Sequence, residues 1–295
     1  MRNIKVLLVL VMVFYAQFLI IGCHKEPIAQ YNHGDPAWSP DGKYIAFVWW
    51  KKVDIIWDPW DTTLSSLKIL NLVTEDCQHL SSRSVSPSWS TDGKKLVCES
   101  GKIVIIDLNT KESKTLTDGL EPDWSPDGIH ILFVKSLGLD SIAIFMTDTN
   151  GSNTKMLFNL ASEPDWLPSG DKFVFFLHKK DSAGIYIGDT TGKIIRLIIP
   201  KDDTLLPLCP KSSPDGQLIT YWVPRDWEDR YRNCFIYIID TLGAKNLKVT
   251  EGRDPAWSPD GSQIVFARYR DEDEALALWI MNRDGSGQKM ITNPE

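Results

Sequence analysis

Four acidic residues recur at one place in a repeated motif, each directly before a shared proline: Asp35, Glu121, Glu163 and Asp254. Two further copies carry Ser86 and Cys209 at that place, and Asp123 and Asp165 lie just past their own prolines. Carboxylates spaced this way meet only if the repeats stand around a common axis. Such a ring would focus negative potential on an axial mouth and favour a cation or a basic peptide segment. The competing reading is local, with each carboxylate accepting hydrogen bonds from nearby backbone N–H groups. A second set of candidates is aromatic: Trp57, Trp60, Trp227, Tyr231 and Tyr269, in the polar stretches 50–65, 224–233 and 268–274. Aromatic side chains of this kind are enriched at recognition surfaces. They are read as partner-binding residues, against the alternative that Trp57 and Trp60 tuck their long loop onto its own repeat.

Other chemistries lack their residues. His24, His33, His79, His130 and His178 fall at non-matching positions, and no Cys-x-x-Cys pair accompanies them, so no metal and no cofactor is expected. A Gly-x-Ser-x-Gly elbow is absent, which speaks against a hydrolase.

The elements that must position these groups come from the repeat itself. Asp35-Pro36-Ala37-Trp38-Ser39-Pro40-Asp41-Gly42 returns almost verbatim as Asp254-Pro255-Ala256-Trp257-Ser258-Pro259-Asp260-Gly261. Between them lie copies around Trp89, Trp124 and Trp166, and one with Ser212 where the others have tryptophan. The copies stand roughly 35 to 50 residues apart, the signature of a repeat array. Ser-Pro-Asp-Gly is turn chemistry: proline presets φ, aspartate bonds nearby N–H groups, and glycine accepts positive φ. A half-buried strand follows each turn, then a third strand, a polar turn and a fourth. Four-stranded antiparallel units that cannot bury both faces alone can do so by radial stacking, giving an all-β, six-bladed β-propeller of four-stranded antiparallel blades. Proline suits an inner edge strand, where no neighbour needs its missing donor, and the tryptophan is expected to wedge between blades. In an antiparallel meander the connections alternate between two ends. The Ser-Pro-Asp-Gly turns therefore share one end, and the variable loops share the other with the starts of the inner strands.

These Trp-Ser-Pro-Asp-Gly repeats resemble the TolB-type, WD40-like β-propeller repeat, also found in propellers of dipeptidyl and prolyl oligopeptidase relatives. The likeness runs from about Asp35 to Thr292 and implies a protein-binding propeller without the N-terminal domain of TolB itself. It also keeps in view a hydrolase or lyase on the same fold, while the loop tryptophans, whose flat rings can stack on sugar faces, leave a glycan-binding propeller as a further alternative.

The start of the chain has a different character. Arg2 and Lys5 precede an apolar stretch over 6–21 broken only by Gln17, and Leu19-Ile20-Ile21-Gly22-Cys23 follows. This ending resembles a bacterial lipobox, although isoleucine stands where a small residue usually precedes the glycine. Residues 1–22 are read as a lipoprotein signal peptide, with Cys23 lipidated, 23–34 as a lipid-anchored tether, and 35–295 as the propeller. Lipid attachment puts the protein in the bacterial cell envelope, on the periplasmic side of the outer membrane where one exists, since His24 rather than aspartate follows Cys23. The alternative is an uncleaved inner-membrane signal anchor, for which the apolar stretch is short. A net charge of −7 without a basic stripe excludes nucleic acid as a partner. Cys209 and Cys234 are separated by a strand, too far apart to bridge, so Cys77, Cys98, Cys209 and Cys234 are expected to be buried free thiols. Together these readings describe a monomeric, non-enzymatic envelope lipoprotein that binds other envelope proteins.

Overall fold

In a computed structural model, residues 30–52, 65–138, 141–201, 206–225, 233–270 and 275–293 are described, with residues 30–33 and 51–52 described by backbone alone. Blade one is β1 (Gln30–Trp38), β2 (Tyr44–Lys52), β3 (Ser65–Asn71) and β4 (Cys77–Ser82). Blade two is β5 (Val85–Trp89), β6 (Lys95–Glu99), β7 (Ile103–Asp107) and β8 (Ser113–Thr117). Blade three is β9 (Leu120–Trp124), β10 (His130–Ser136), β11 (Ile142–Asp148) and β12 (Lys155–Asn159). Blade four is β13 (Ala161–Trp166), β14 (Lys172–Leu177), β15 (Gly184–Asp189) and β16 (Ile194–Pro200). Blade five is β17 (Leu208–Ser212), β18 (Leu218–Pro224), β19 (Cys234–Asp240) and β20 (Asn246–Glu251). Blade six is β21 (Arg253–Trp257), β22 (Gln263–Arg270), β23 (Ala275–Asn282) and β24 (Lys289–Met290).

Each sheet pairs its four strands in sequence order, and the inner strands touch in a closed cycle, β1–β5–β9–β13–β17–β21 and back to β1. All four described strands of blade six come from its own repeat. Residues 30–34 instead lengthen the inner strand of blade one, where Gln30 pairs with Lys52 and Gly34 with Val48. Among the described residues β1 thus includes Gln30–Gly34, a stretch that the sequence reading assigned to the tether. Pairing with the long β2 draws those residues in.

The turns form as their residues dictate. In blade six Ser258 Oγ donates to Asp260 Oδ1 at 2.6 Å and accepts the Gln263 N–H, while Gly261 sits at φ 69° and bonds the Ser258 carbonyl. The second strands form the core: Phe47, Phe133, Phe175, Tyr221 and Phe266 are all under 2% exposed. Three of the repeat indoles bond to the preceding blade. Trp89 Nε1 donates to the Ala37 carbonyl at 3.0 Å, Trp166 to Asp123 at 3.2 Å and Trp257 to Lys211 at 3.3 Å. Blade five, which lacks this indole, makes a substitute: Ser212 Oγ donates to the Trp166 carbonyl at 2.6 Å.

All four propeller cysteines are free thiols. Cys77 is exposed at the start of an outer strand rather than buried, because that edge faces solvent.

Candidate functional site

Every inner strand is interrupted at the same place. The ladder to the second strand gains one extra residue between positions such as Gly34 and Ala37 or Arg253 and Ala256, a β-bulge. The residue before the proline lies in the left-handed region in all six blades, with φ from 46° to 55°: Asp35, Ser86, Glu121, Glu163, Cys209 and Asp254. None is glycine, and such a conformation costs about 1–2 kcal/mol per residue. The bulge re-aims these side chains towards the neighbouring blade and the axis.

The carboxylates then form a ladder between inner strands. Glu121 Oε2 accepts the Glu163 N–H at 2.7 Å, and Glu163 Oε2 accepts the Cys209 N–H at 2.8 Å. Asp35 likewise accepts the Ser86 N–H. One rung further along, Ser88 Oγ accepts the Trp124 N–H at 3.0 Å, Asp123 Oδ2 the Trp166 N–H at 2.8 Å, and Asp165 Oδ2 the Ser212 N–H at 2.7 Å. Ser88 also donates to Asp123 Oδ1 at 2.9 Å. Where Ser86 offers no carboxylate, Glu99 at the end of β6 takes the Glu121 N–H.

The carboxylates of the inner strands line one axial channel of about 650 Å³, running from Gly138 and Ser141 at the loop end to Pro40 and Pro126 at the turn end. All six expected axial carboxylates, Asp35, Glu121, Asp123, Glu163, Asp165 and Asp254, border it. The two readings are therefore compatible for Asp35, Glu121, Asp123, Glu163 and Asp165, whose carboxyl groups cap backbone and face a common space. Confinement makes ionisation costly for Asp35, Glu121, Asp123 and Glu163. Desolvation, reinforced by Asp254, lifts Asp35 to about 6; desolvation with Asp165 lifts Asp123 to about 6; desolvation with Glu121 lifts Glu163 to about 8. Burial likewise lifts Glu99 to about 7.

Two basic residues temper this acidity, and neither stood out in the sequence. Lys211 Nζ lies 3.0 Å from Asp165 Oδ1, and Arg253 Nε lies 2.8 Å from Asp254 Oδ2. Lys211 was visible as a departure from the repeat, standing where other blades have alanine, serine or aspartate. Glu99 lies outside the motif and carried no such signal.

Tyr269, expected in a loop, lies within β22 because that strand extends to Arg270; it packs against the core shared by blades six and one. Trp57, Trp60, Trp227, Tyr231 and Cys23 lie outside the described residues. At the loop end of the channel Ser162 Oγ and His178 Nε2 are 2.7 Å apart. Burial holds His178 down at about 4, and among the described residues no carboxylate bonds its other nitrogen. Among the described residues no group of three or more potential ligands could hold a metal ion.

A ring of six four-stranded blades with an acidic axial channel defines a β-propeller of the kind that presents loops around a mouth. The profile of the TolB beta propeller domain matches residues 33–199, and the chain belongs to that family. The Tol-Pal system protein TolB of Francisella tularensis is 24% identical over 277 residues, which cover 83% of this chain and 57% of that protein. The chain spans little more than half the length of such curated relatives. The crystal structure of TolB from Acinetobacter baumannii superposes with a TM-score of 0.68 at 24% identity, covering 83% of this chain and 62% of that one. An oligogalacturonate lyase from Vibrio parahaemolyticus shares the fold at a TM-score of 0.58 and 15% identity, covering 89% and 78%.

Proposed function

We propose that the protein is a non-enzymatic cell-envelope lipoprotein, anchored through Cys23, whose propeller binds another envelope protein at the loop end of the ring. The observation that carries this reading is the meeting of features at one end: the acidic channel opens where the long connections 53–64, 226–232 and 271–274 leave their strands. Rigid strands presenting varied loops are where recognition concentrates. Relatives named for the Tol-Pal system support a protein partner over a small substrate. Trp57, Trp60, Trp227 and Tyr231 supply the aromatic part of the surface, and the outer carboxylates Asp35, Glu121, Glu163 and Asp254 supply its charge.

The test is capture from detergent extract of cells expressing the tagged full chain. A Trp57→Ala, Trp60→Ala, Trp227→Ala triple variant and a Glu121→Gln, Glu163→Gln variant are compared with wild type. Recovery of a protein by wild type and its loss from the triple variant is the expected result. Equal recovery from all three removes the loop end as the binding surface.

A further inference from the structure

Lys211 breaks the pattern of the channel in an informative way. Directly after the shared proline the blades carry Ala37, Ser88, Asp123, Asp165, Lys211 and Ala256. Ser88, Asp123 and Asp165 each accept an N–H from the next blade. An ammonium has three donors and nothing with which to accept, so Lys211 cannot continue this ladder. It reaches back instead. Its Nζ lies 3.0 Å from Asp165 Oδ1, while Oδ2 of the same carboxylate holds the Ser212 N–H, so the two oxygens divide the two tasks. The lysine side chain is 37% exposed, and it lines the channel. Asp35, Glu121, Asp123 and Glu163 also feel its charge.

Burial alone would push this ammonium down, but Asp165 and Asp123 hold it well above the usual lysine range, so it stays charged. In return it offsets the repulsion that Asp165 exerts on Asp123. Asp165 by direct contact and Asp123 by its charge together favour one ammonium at this level, and the chain supplies that ammonium itself.

We infer that Lys211 is a built-in cationic plug, filling at the Asp123–Asp165 level a site that would otherwise take a small primary ammonium such as the head of a lysine. The inner rung is therefore closed to basic ligands. Under the proposed scaffold function, from which this consequence alone follows, a basic partner segment is confined to the Asp35, Glu121, Glu163 and Asp254 ring, nearer the loop end. The plug itself needs no partner to be true.

The experiment is chemical rescue of the full chain carrying Lys211→Ala. Thermal midpoints are measured in ethylammonium chloride, in tetramethylammonium chloride (a cation with no N–H to donate) and in sodium chloride at equal ionic strength. Wild type should respond alike to all three salts. Lys211→Ala should melt lower and recover several degrees selectively in ethylammonium, and a Lys211→Ala, Asp165→Asn double variant should lose that recovery. Should Lys211→Ala not fold on expression, its yield on refolding from urea reads the same way, rising only with ethylammonium. Equal responses of wild type and variant, or no selective gain in midpoint or refolding yield, overturn the plug. Because no partner enters this measurement, its failure is separable from failure of the capture experiment.

Discussion

Replacing Trp166 by alanine tests the wedge that holds neighbouring blades. The indole is 5% exposed, packs edge-on to Phe173 at 6.0 Å in the core between blades three and four, and donates to the Asp123 carbonyl. A buried tryptophan removes about 150–250 Å² from water, which at roughly 25 cal/mol per Å² amounts to about 4–6 kcal/mol. Partial collapse around the vacancy brings the expected loss into the range of about 3–5 kcal/mol measured for such truncations. In a chain of this size that corresponds to a fall of roughly 6–20 °C in thermal midpoint. Trp166→Phe separates volume from hydrogen bonding, since it keeps most of the area but leaves the Asp123 carbonyl without its donor, a change worth about 1–2 kcal/mol. Urea unfolding followed by circular dichroism measures both. A loss below about 1 kcal/mol for the alanine variant would refute the wedge, placing it among ordinary surface changes. A phenylalanine variant as damaged as alanine would shift the credit from packing to the N–H.

Three further outcomes are expected. Asp35 and Asp123 are raised from 3.8 to about 6, and Glu163 from 4.5 to about 8, so the folded chain holds these protons more tightly than the unfolded chain; that stabilisation is complete below the unfolded values and is lost as pH rises through 6 to 8. The thermal midpoint should fall between about pH 5 and about pH 9, and Asp123→Asn with Glu163→Gln should flatten the profile; a midpoint that climbs over this window sinks the desolvation account. In the turn of blade six, the Ser258 hydroxyl and the Ser262 N–H hold the Asp260 carboxyl down at about 2. Asp260→Ala should cost about 1 kcal/mol near neutral pH, and its difference from wild type should close as pH falls through about 2; a difference independent of pH would mean the ionised carboxylate is not what the turn uses. Burial pushes Cys98 up to about 12 and raises Cys209 strongly, while Cys77 is exposed and more modestly raised. Among these three, Cys77 should react first with a maleimide, and a fast phase surviving Cys77→Ser would show that core or channel thiols are open.

The turns were legible because each of their residues has a local reason to be there. In Ser258-Pro259-Asp260-Gly261 the hydroxyl, the carboxylate and the positive φ all act within five residues. The wedges were legible from spacing alone, and blade five could be counted without its indole because its strands kept their pattern; the Ser212 bond to the Trp166 carbonyl shows what replaced it. What escaped depends on contacts far apart in sequence. Glu99 serves blade three from a strand of blade two, and no motif position announces it. Tyr269 was placed in a loop because strand ends are set by pairing, here with Leu276, rather than by composition. The left-handed conformation of six non-glycine residues is invisible in a string that reads acid-proline in four of them and offers glycine at none.

That conformation explains why the channel is acidic in the first place. Among the described residues the blades share no sheet hydrogen bonds, so each inner strand is an edge with donors facing the axis, and exposed edges need blunting. Proline removes one donor, and the bulge turns the preceding residue so that its side chain can reach the adjacent blade. The donors that remain, at the residue before the proline and two beyond it, must find acceptors across the gap between blades. A carboxylate reaches that far and can take a backbone N–H with one oxygen while its other oxygen faces the channel, as Asp165 does with Ser212 and Lys211. Closing the ring therefore deposits carboxyl groups on the axis whatever the protein binds. The informative positions are the exceptions, where closure does not dictate the residue: Cys209 in the outer ring, Lys211 in the inner one, and Ala37 and Ala256, which put no side-chain acceptor at the inner rung of blades one and six.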